Sequence, residues 1–227
     1  MITTLGKSIC FSQKYDPDDY ANSDYDYYPT PPELVFNLLE ILSLEFKSKI
    51  RNSTILEPCA GTRDLLIPLA KSFPLATFLH SDIQDKPFSS SNDSSVIDYY
   101  RKISYDWLIT NPPFNRSSLI LKHGFEECRK GVIALLRLSW VEPCRNRRAF
   151  LINNADHLRF FIPVSPRPRF KGKGNDNVTC AWFIWEKEFS WEEEGIECPF
   201  NFLLDWKLLA TPKYLKEVAG CVSTTSS

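Results

Sequence analysis

Asp106-Trp107-Leu108-Ile109-Thr110-Asn111-Pro112-Pro113-Phe114 decides how the chain reads. From Asp106 to Thr110 it is an apolar run with β-favouring residues, long enough for one buried strand. Asn111 to Phe114 stop that strand, because neither proline can donate to a sheet ladder. A turn after a strand is the plain structural reading. Two consecutive prolines also fix φ and make the turn stiff, and the carboxyl end of a parallel strand is where open α/β sheets bind ligands. The turn offers one amide side chain (Asn111), one acceptor-only carbonyl (Pro112) and one aromatic face (Phe114). That set suits a planar ring carrying an amino group.

The flanking segments read as alternating strands and helices. Ser53–Leu56 is a short strand, followed by Glu57-Pro58-Cys59-Ala60-Gly61-Thr62-Arg63-Asp64. A strand, a small-residue turn and a helix let backbone approach a nucleotide-like ligand. The helix runs to about Phe73 with Pro68 in its first turns. Ala76–His80 is a second strand ending at Ser81-Asp82, and an acidic residue there commonly accepts from ribose hydroxyls. A polar loop, Ser89–Ser95, leads to a third short strand around Val96-Ile97, then Asp98. Upstream, Thr30 and Glu33 have capping-box spacing, and Pro31 suits a first helical position. Leu34, Val35, Leu38, Leu39 and Leu42 continue at helical spacing, which predicts one helix over about 31–46. Downstream come an amphipathic helix over Ser117–Cys128, ended by Gly131, an apolar strand over Val132–Leu138 and a last strand over Asn177–Trp185. This alternation is α/β with a mostly parallel sheet. The expected organisation is an irregular arm over residues 1–26, one domain over 27–210 with a basic recognition insert at about 140–174, and a tail over 211–227.

With 227 residues, 43% hydrophobic and 24% charged, the chain suits one domain with a sizeable core. It has no apolar run of membrane-spanning length and no signal-peptide pattern, so a soluble intracellular protein is expected. Its seven cysteines include no Cys-x-x-Cys pair, which reads as reduced structural thiols without a zinc site. Net charge is −1, but the distribution is uneven. Tyr15–Phe46 holds eight acidic residues and no basic one, whereas Arg137–Lys173 holds nine Lys or Arg against Glu142 and Asp156. The second stretch reads either as a solvated surface or as a basic face. Its mixture with Trp140, Phe160, Phe161 and Phe170 fits phosphate contacts plus base stacking. The candidate nucleic-acid ligands are Arg145, Arg147, Arg148, Arg167, Arg169, Lys171 and Lys173. The Gly-x-Gly after them reads as a loop ordered by a partner.

Asn111-Pro112-Pro113-Phe114 after a hydrophobic strand resembles the catalytic motif of the S-adenosylmethionine-dependent N6-adenine methyltransferases. Tyr28-Pro29-Thr30-Pro31 resembles the Tyr-x-Thr-Pro segment that contacts the cofactor ahead of the family's first helix. Glu57-Pro58-Cys59-Ala60-Gly61 resembles the cofactor turn Glu-Pro-x-Ala-Gly-x-Gly, with Arg63 replacing the last glycine. The motif order is that of the γ-type enzymes. A basic loop before Val-Thr-Cys-Ala-Trp-Phe is similar to small phage-type members. The resemblance implies a Rossmann-like methyltransferase fold, a mostly parallel sheet with helices on both faces. It implies S-adenosylmethionine as cofactor and adenine in DNA as substrate, double-stranded ahead of single-stranded. Glu57 would take the methionine ammonium, Pro58, Ala60 and Gly61 would form the turn beneath it, Asp82 would take the ribose and Asp98 the adenine amine. Tyr28, Thr30, Pro31 and Asn111 complete that set. Asn111, Pro112, Pro113 and Phe114 would hold the target amine and stack on its ring. No membrane partner is implied, a partner protein or oligomer is left open, and the location would be cytoplasm, nucleoid or the host cell of a phage. RNA adenine methylation, protein glutamine methylation through the related Asn-Pro-Pro-Tyr motif, and a degenerate nucleic-acid-binding protein stand beside this reading. Arg63 is the best support for the last of them.

Overall fold

The computed structural model describes residues 3–5, 28–83, 93–142, 144–170 and 178–200. The strand read first, β4 (Trp107–Thr110), lies in the middle of a seven-stranded sheet and is buried along its whole length. It pairs in parallel with β2 (Thr54–Glu57) on one side and β5 (Gly131–Arg137) on the other. A strand covered on both faces needs apolar side chains at every position, which is why Trp-Leu-Ile reads as a run and not an alternation. Trp107 and Ile109 point into one core and Leu108 into the other.

The first core holds α1 (Pro32–Ile41), α2 (Leu44–Arg51) and α3 (Leu66–Ser72) against the sheet. The second holds α5 (Ser117–Glu127) and α6 (Arg145–Asn153), with the tyrosines of the short α4 (Ile97–Tyr100). The strand order is β1-β3-β2-β4-β5-β7-β6. From β2 the chain goes to β3 (Thr77–His80) on one side; from β4 it goes to β5 on the other. The sheet therefore reverses direction between β2 and β4, and ligands bind at the carboxyl ends of strands at such a switch point. The far edge, β6 (Leu158–Pro163) and β7 (Cys180–Glu186), is antiparallel.

Several elements differ from the sequence reading. The helix expected over 31–46 is two helices. Leu42 is extended, and Ser43 Oγ accepts the Phe46 N–H at 3.1 Å, starting α2 with its own cap. No capping box forms at α1: Pro31 is the N-cap residue and no side chain caps the helix. The strand expected at Val96-Ile97 is α4 instead, because Asp93 begins a turn that buries Tyr99 and Tyr100. Thr3–Leu5, within the expected irregular arm, is strand β1, antiparallel to β3. The described part of the basic stretch contains α6 and β6. Gly131 opens β5 and does not end a helix; a Cβ there would stand 2.7 Å from the Trp107 ring. Residues 201–227, including the expected tail, lie outside the described residues.

Candidate active site at the sheet switch point

β2 ends in Glu57, and the chain turns at once through Pro58, Cys59, Ala60 and Gly61. The end of β3 holds this turn in place. Ala60 N–H donates to the Ser81 carbonyl at 3.0 Å, and Gly61 N–H donates to Asp82 Oδ2 at 2.9 Å. Asp82, the residue expected to meet a ribose, thus also fixes the turn. Gly61 has φ 47°, and Arg63 has φ 68° in the left-handed region. The residue that departs from the family motif therefore takes a glycine conformation, at a cost of roughly 1–2 kcal/mol for an L side chain.

Glu57 is a strongly perturbed acid. It is buried, and one oxygen, Oε1, accepts both from Cys59 N–H at 3.0 Å and from Thr110 Oγ1 at 2.7 Å. Oε2 is buried with no hydrogen-bond partner among the described residues. Burial pushes the carboxyl up to about 8; the Thr110 and Cys59 donors pull the other way, and the charge of Asp82 adds to the rise. An orphaned carboxylate oxygen in such a place asks for a cation. Burial also pushes the Cys59 thiol well above its usual range, which leaves it unreactive.

β4 delivers Asn111 to the neighbouring position. Its Nδ2 donates to the Tyr28 carbonyl at 2.9 Å and to Thr30 Oγ1 at 3.0 Å. A carbonyl can only accept, so the Tyr28 contact fixes which end of the amide is nitrogen. Oδ1 is left as an acceptor unused by any described group. Thr30, whose spacing suggested a cap, spends its hydroxyl here. Pro112 is buried, and its carbonyl accepts no hydrogen bond from the described residues. Phe114 lies 4.9 Å from Tyr28 between ring centroids, and Tyr28 in turn meets Phe170 edge-on at 5.6 Å.

The structure brings Tyr28, Thr30, Glu57, Ala60, Gly61, Asp82 and Asn111 to one end of the sheet. It does not bring Asp98 there. Asp98 is exposed on α4 and pairs with Arg101 at 3.4 Å, because Tyr99 and Tyr100 take the inward positions of that helix. Asp93, five residues earlier, is half-buried. Its Oδ1 accepts from Ser95 N–H at 2.9 Å, and its Oδ2 lies 3.6 Å from Arg116, two residues beyond Phe114. Sequence reading missed both Asp93 and Arg116; a polar loop gives no register, and Arg116 follows the motif without belonging to it.

The aromatic residues of the basic stretch are not stacking platforms. Trp140 is buried against Phe150, Phe183 and Trp185, and donates to Ser117 Oγ at 3.1 Å. Phe160 packs edge-on to Phe46, and Phe161 on Phe183. Phe170 is in the core. The charges behave differently. Arg167 and Arg169 are exposed, while Pro168 between them and Phe170 after them are buried, Phe170 against Tyr28. Arg148 is exposed on α6; Arg147 is half-buried and donates to the Ser139 carbonyl at 3.2 Å. The Arg145 side chain, Lys171 and Lys173 lie outside what is described. No described helix is long and apolar enough to cross a membrane.

No protein-family model matches the chain, and no curated protein does. Among solved structures it is similar to a modification subunit of a type I restriction enzyme from Vibrio vulnificus, at 11% identity and TM-score 0.52, over 76% of this chain and 46% of that one. It is also similar to a class I S-adenosylmethionine-dependent methyltransferase from Listeria monocytogenes (14%, 0.47, 91% and 74%). A third is a magnesium protoporphyrin IX methyltransferase from Synechocystis with bound S-adenosylmethionine (16%, 0.43, 68% and 78%). The chain spans about half the length of the Vibrio protein. The fold is that of the Rossmann-like methyltransferases.

Proposed function

We propose that the protein transfers the methyl group of S-adenosylmethionine to the N6 amine of adenine in DNA. The observation that supports this most is the Asn111 amide. Its nitrogen is held by the Tyr28 carbonyl and Thr30, which leaves Oδ1 as an acceptor next to the unused Pro112 carbonyl. Two rigid acceptors and an aromatic face are what an exocyclic amine on a planar ring requires.

When bound, S-adenosylmethionine supplies an electrophilic methyl group on a sulfonium. Glu57 Oε2 suits its methionine ammonium, the turn at Ala60 and Gly61 allows close backbone approach, and Asp82 suits its ribose. Asn111 Oδ1 and the Pro112 carbonyl accept the two N6 hydrogens and turn the nitrogen lone pair out of ring conjugation. Phe114 holds the ring by stacking. The amine would form its new N–C bond as the methyl's bond to the sulfonium breaks and leaves a neutral thioether, and it would then shed a proton to water, so no carboxylate base is needed. Positioning and fixed dipoles of this kind lower a barrier by several kcal/mol. In a duplex the base must first be flipped out, at a cost of a few kcal/mol. Arg148, Arg167 and Arg169 would hold the backbone during that step.

The test is transfer from labelled S-adenosylmethionine to double-stranded DNA, single-stranded DNA, RNA and a protein extract, followed by nucleoside mass analysis. N6-methyladenine in DNA is expected. Asn111→Ala should abolish transfer, since it removes an acceptor for the target amine. Label in RNA or glutamine would move the substrate, and no label in any sample would remove the enzyme reading.

A further inference from the structure

Arg137 ends β5, one strand over from β4. Thr110 stands opposite Ala134 in the parallel register, so Arg137 leaves the sheet beside the Asn111–Phe114 turn. Its guanidinium carbon lies 4.0 Å from the centroid of the Phe114 ring, over the face on which a target base would stack. Among the described residues no carboxylate pairs with it, and its Nε is buried without a hydrogen-bond partner. A half-buried cation with an unmet donor lacks the anionic acceptor that its fork geometry suits. Arg137 also lines an open cavity of about 520 Å³ together with Leu138, Ser139, Glu142 and Thr179.

We propose that Arg137 is a positioning residue that exchanges partners on substrate binding. Its planar guanidinium covers Phe114 when no base is present. The target base takes over that stack, and the guanidinium turns onto a phosphate flanking the same nucleotide. One stack replaces another, and the unmet donor gains a charged acceptor. This rests on the reading of the site as one for adenine in a nucleic acid.

The experiment uses the full chain and its best adenine oligonucleotide, first with the wild type. Absence of transfer there would remove the underlying reading before Arg137 is tested. With transfer established, Arg137→Gln keeps a planar amide and loses the charge, while Arg137→Lys keeps the charge. Arg137→Gln should raise KM about tenfold with kcat within about threefold, and lower the slope of log KM against log salt by about one. Arg137→Lys should restore the slope. Cofactor affinity, read by calorimetry, should stay at the wild-type value in both. Independently, a neutral methylphosphonate at the phosphates on either side of the target adenine should raise KM for the wild type and have no further effect on Arg137→Gln. An unchanged salt slope in Arg137→Gln, or wild-type indifference to the methylphosphonates, overturns the proposal.

Discussion

Lowering the pH from 8 to 6 should weaken S-adenosylmethionine binding about 25-fold, through the Glu57 carboxyl. Burial holds this group up at about 8, against an ordinary value of 4.5. Both of its protein donors, Cys59 N–H and Thr110 Oγ1, are on Oε1, so at neutral pH the proton sits on Oε2. That is the oxygen an ammonium would use. Binding therefore requires Glu57 to give up its proton while the ligand amine, which titrates near 8 as α-amines do, keeps its own. Affinity peaks near pH 8 and falls on both sides. At pH 6 only about one Glu57 in a hundred is ionised, whereas at pH 8 about half of each group is in the required form; the ratio gives the 25-fold. Calorimetry from pH 6 to 10, in buffers of different ionisation enthalpy, reads both the affinity and the proton count. About 0.8 proton should be released per ligand bound at pH 7. In Glu57→Gln the acid limb should vanish while the alkaline limb, which belongs to the ligand, remains. A wild-type affinity that is flat from pH 6 to 8, with no buffer-dependent heat, would refute the placement of the ammonium at Glu57.

The same carboxyl makes the ligand-free protein lose stability with rising pH: its folded value is raised, so its contribution is complete below 4.5 and lost through about 8. Roughly 5 kcal/mol is at stake over that window, and melts of Glu57→Gln should lack this slope. Arg63→Gly should raise stability by roughly 0.5–1 kcal/mol, the relief of a left-handed φ less the added unfolded-chain freedom; a loss on denaturant unfolding would show that the side chain holds the turn. Asn111→Asp keeps an acceptor but cannot donate to the Tyr28 carbonyl, and should cost about 1–3 kcal/mol in urea unfolding. Glu186→Ala should cost about 3 kcal/mol, because it strands Lys49 and Arg159 around a buried position, yet leave cofactor affinity unchanged, because β7 ends away from the site.

The readable parts of this chain were those whose chemistry is settled within a few residues. Trp107–Thr110 must be a strand covered on both faces, and Pro112 and Pro113 must end it, whatever lies elsewhere. The Glu57 turn was legible for the same reason, although its electrostatics were not: the rise to about 8 comes from complete burial and from Asp82, 25 positions away in sequence. The Asp98 role came from the resemblance alone; Asp98 lies on α4, where Tyr99 and Tyr100 take the inward positions, and it pairs with Arg101. The aromatic residues of the basic stretch failed similarly. Trp140 and Phe161 are apolar side chains beside charges in sequence, but their partners Phe183 and Trp185 lie on β7, about 40 and 20 residues further along the chain. β6 escaped because its Leu158–Pro163 run holds Arg159 and two aromatics, and only pairing with β7 makes it a strand.

Thr30 shows why local patterns at a site can be correct in residue and wrong in role. Thr30, Pro31 and Glu33 satisfy the spacing of a helix start, and a helix does start there, at Pro32. A hydroxyl that caps its own helix must accept from a backbone N–H within three residues. Thr30 instead accepts from Asn111, 81 residues later. Pro31 and Pro32 carry no N–H group, so the first turn has fewer donors to satisfy, and the Thr30 oxygen accepts from Asn111. The prolines thus weaken the need for a cap and release the threonine to orient the amide. The Thr-Pro-Pro and Asn-Pro-Pro segments act on each other in the fold, and neither one's role is fixed by its own sequence.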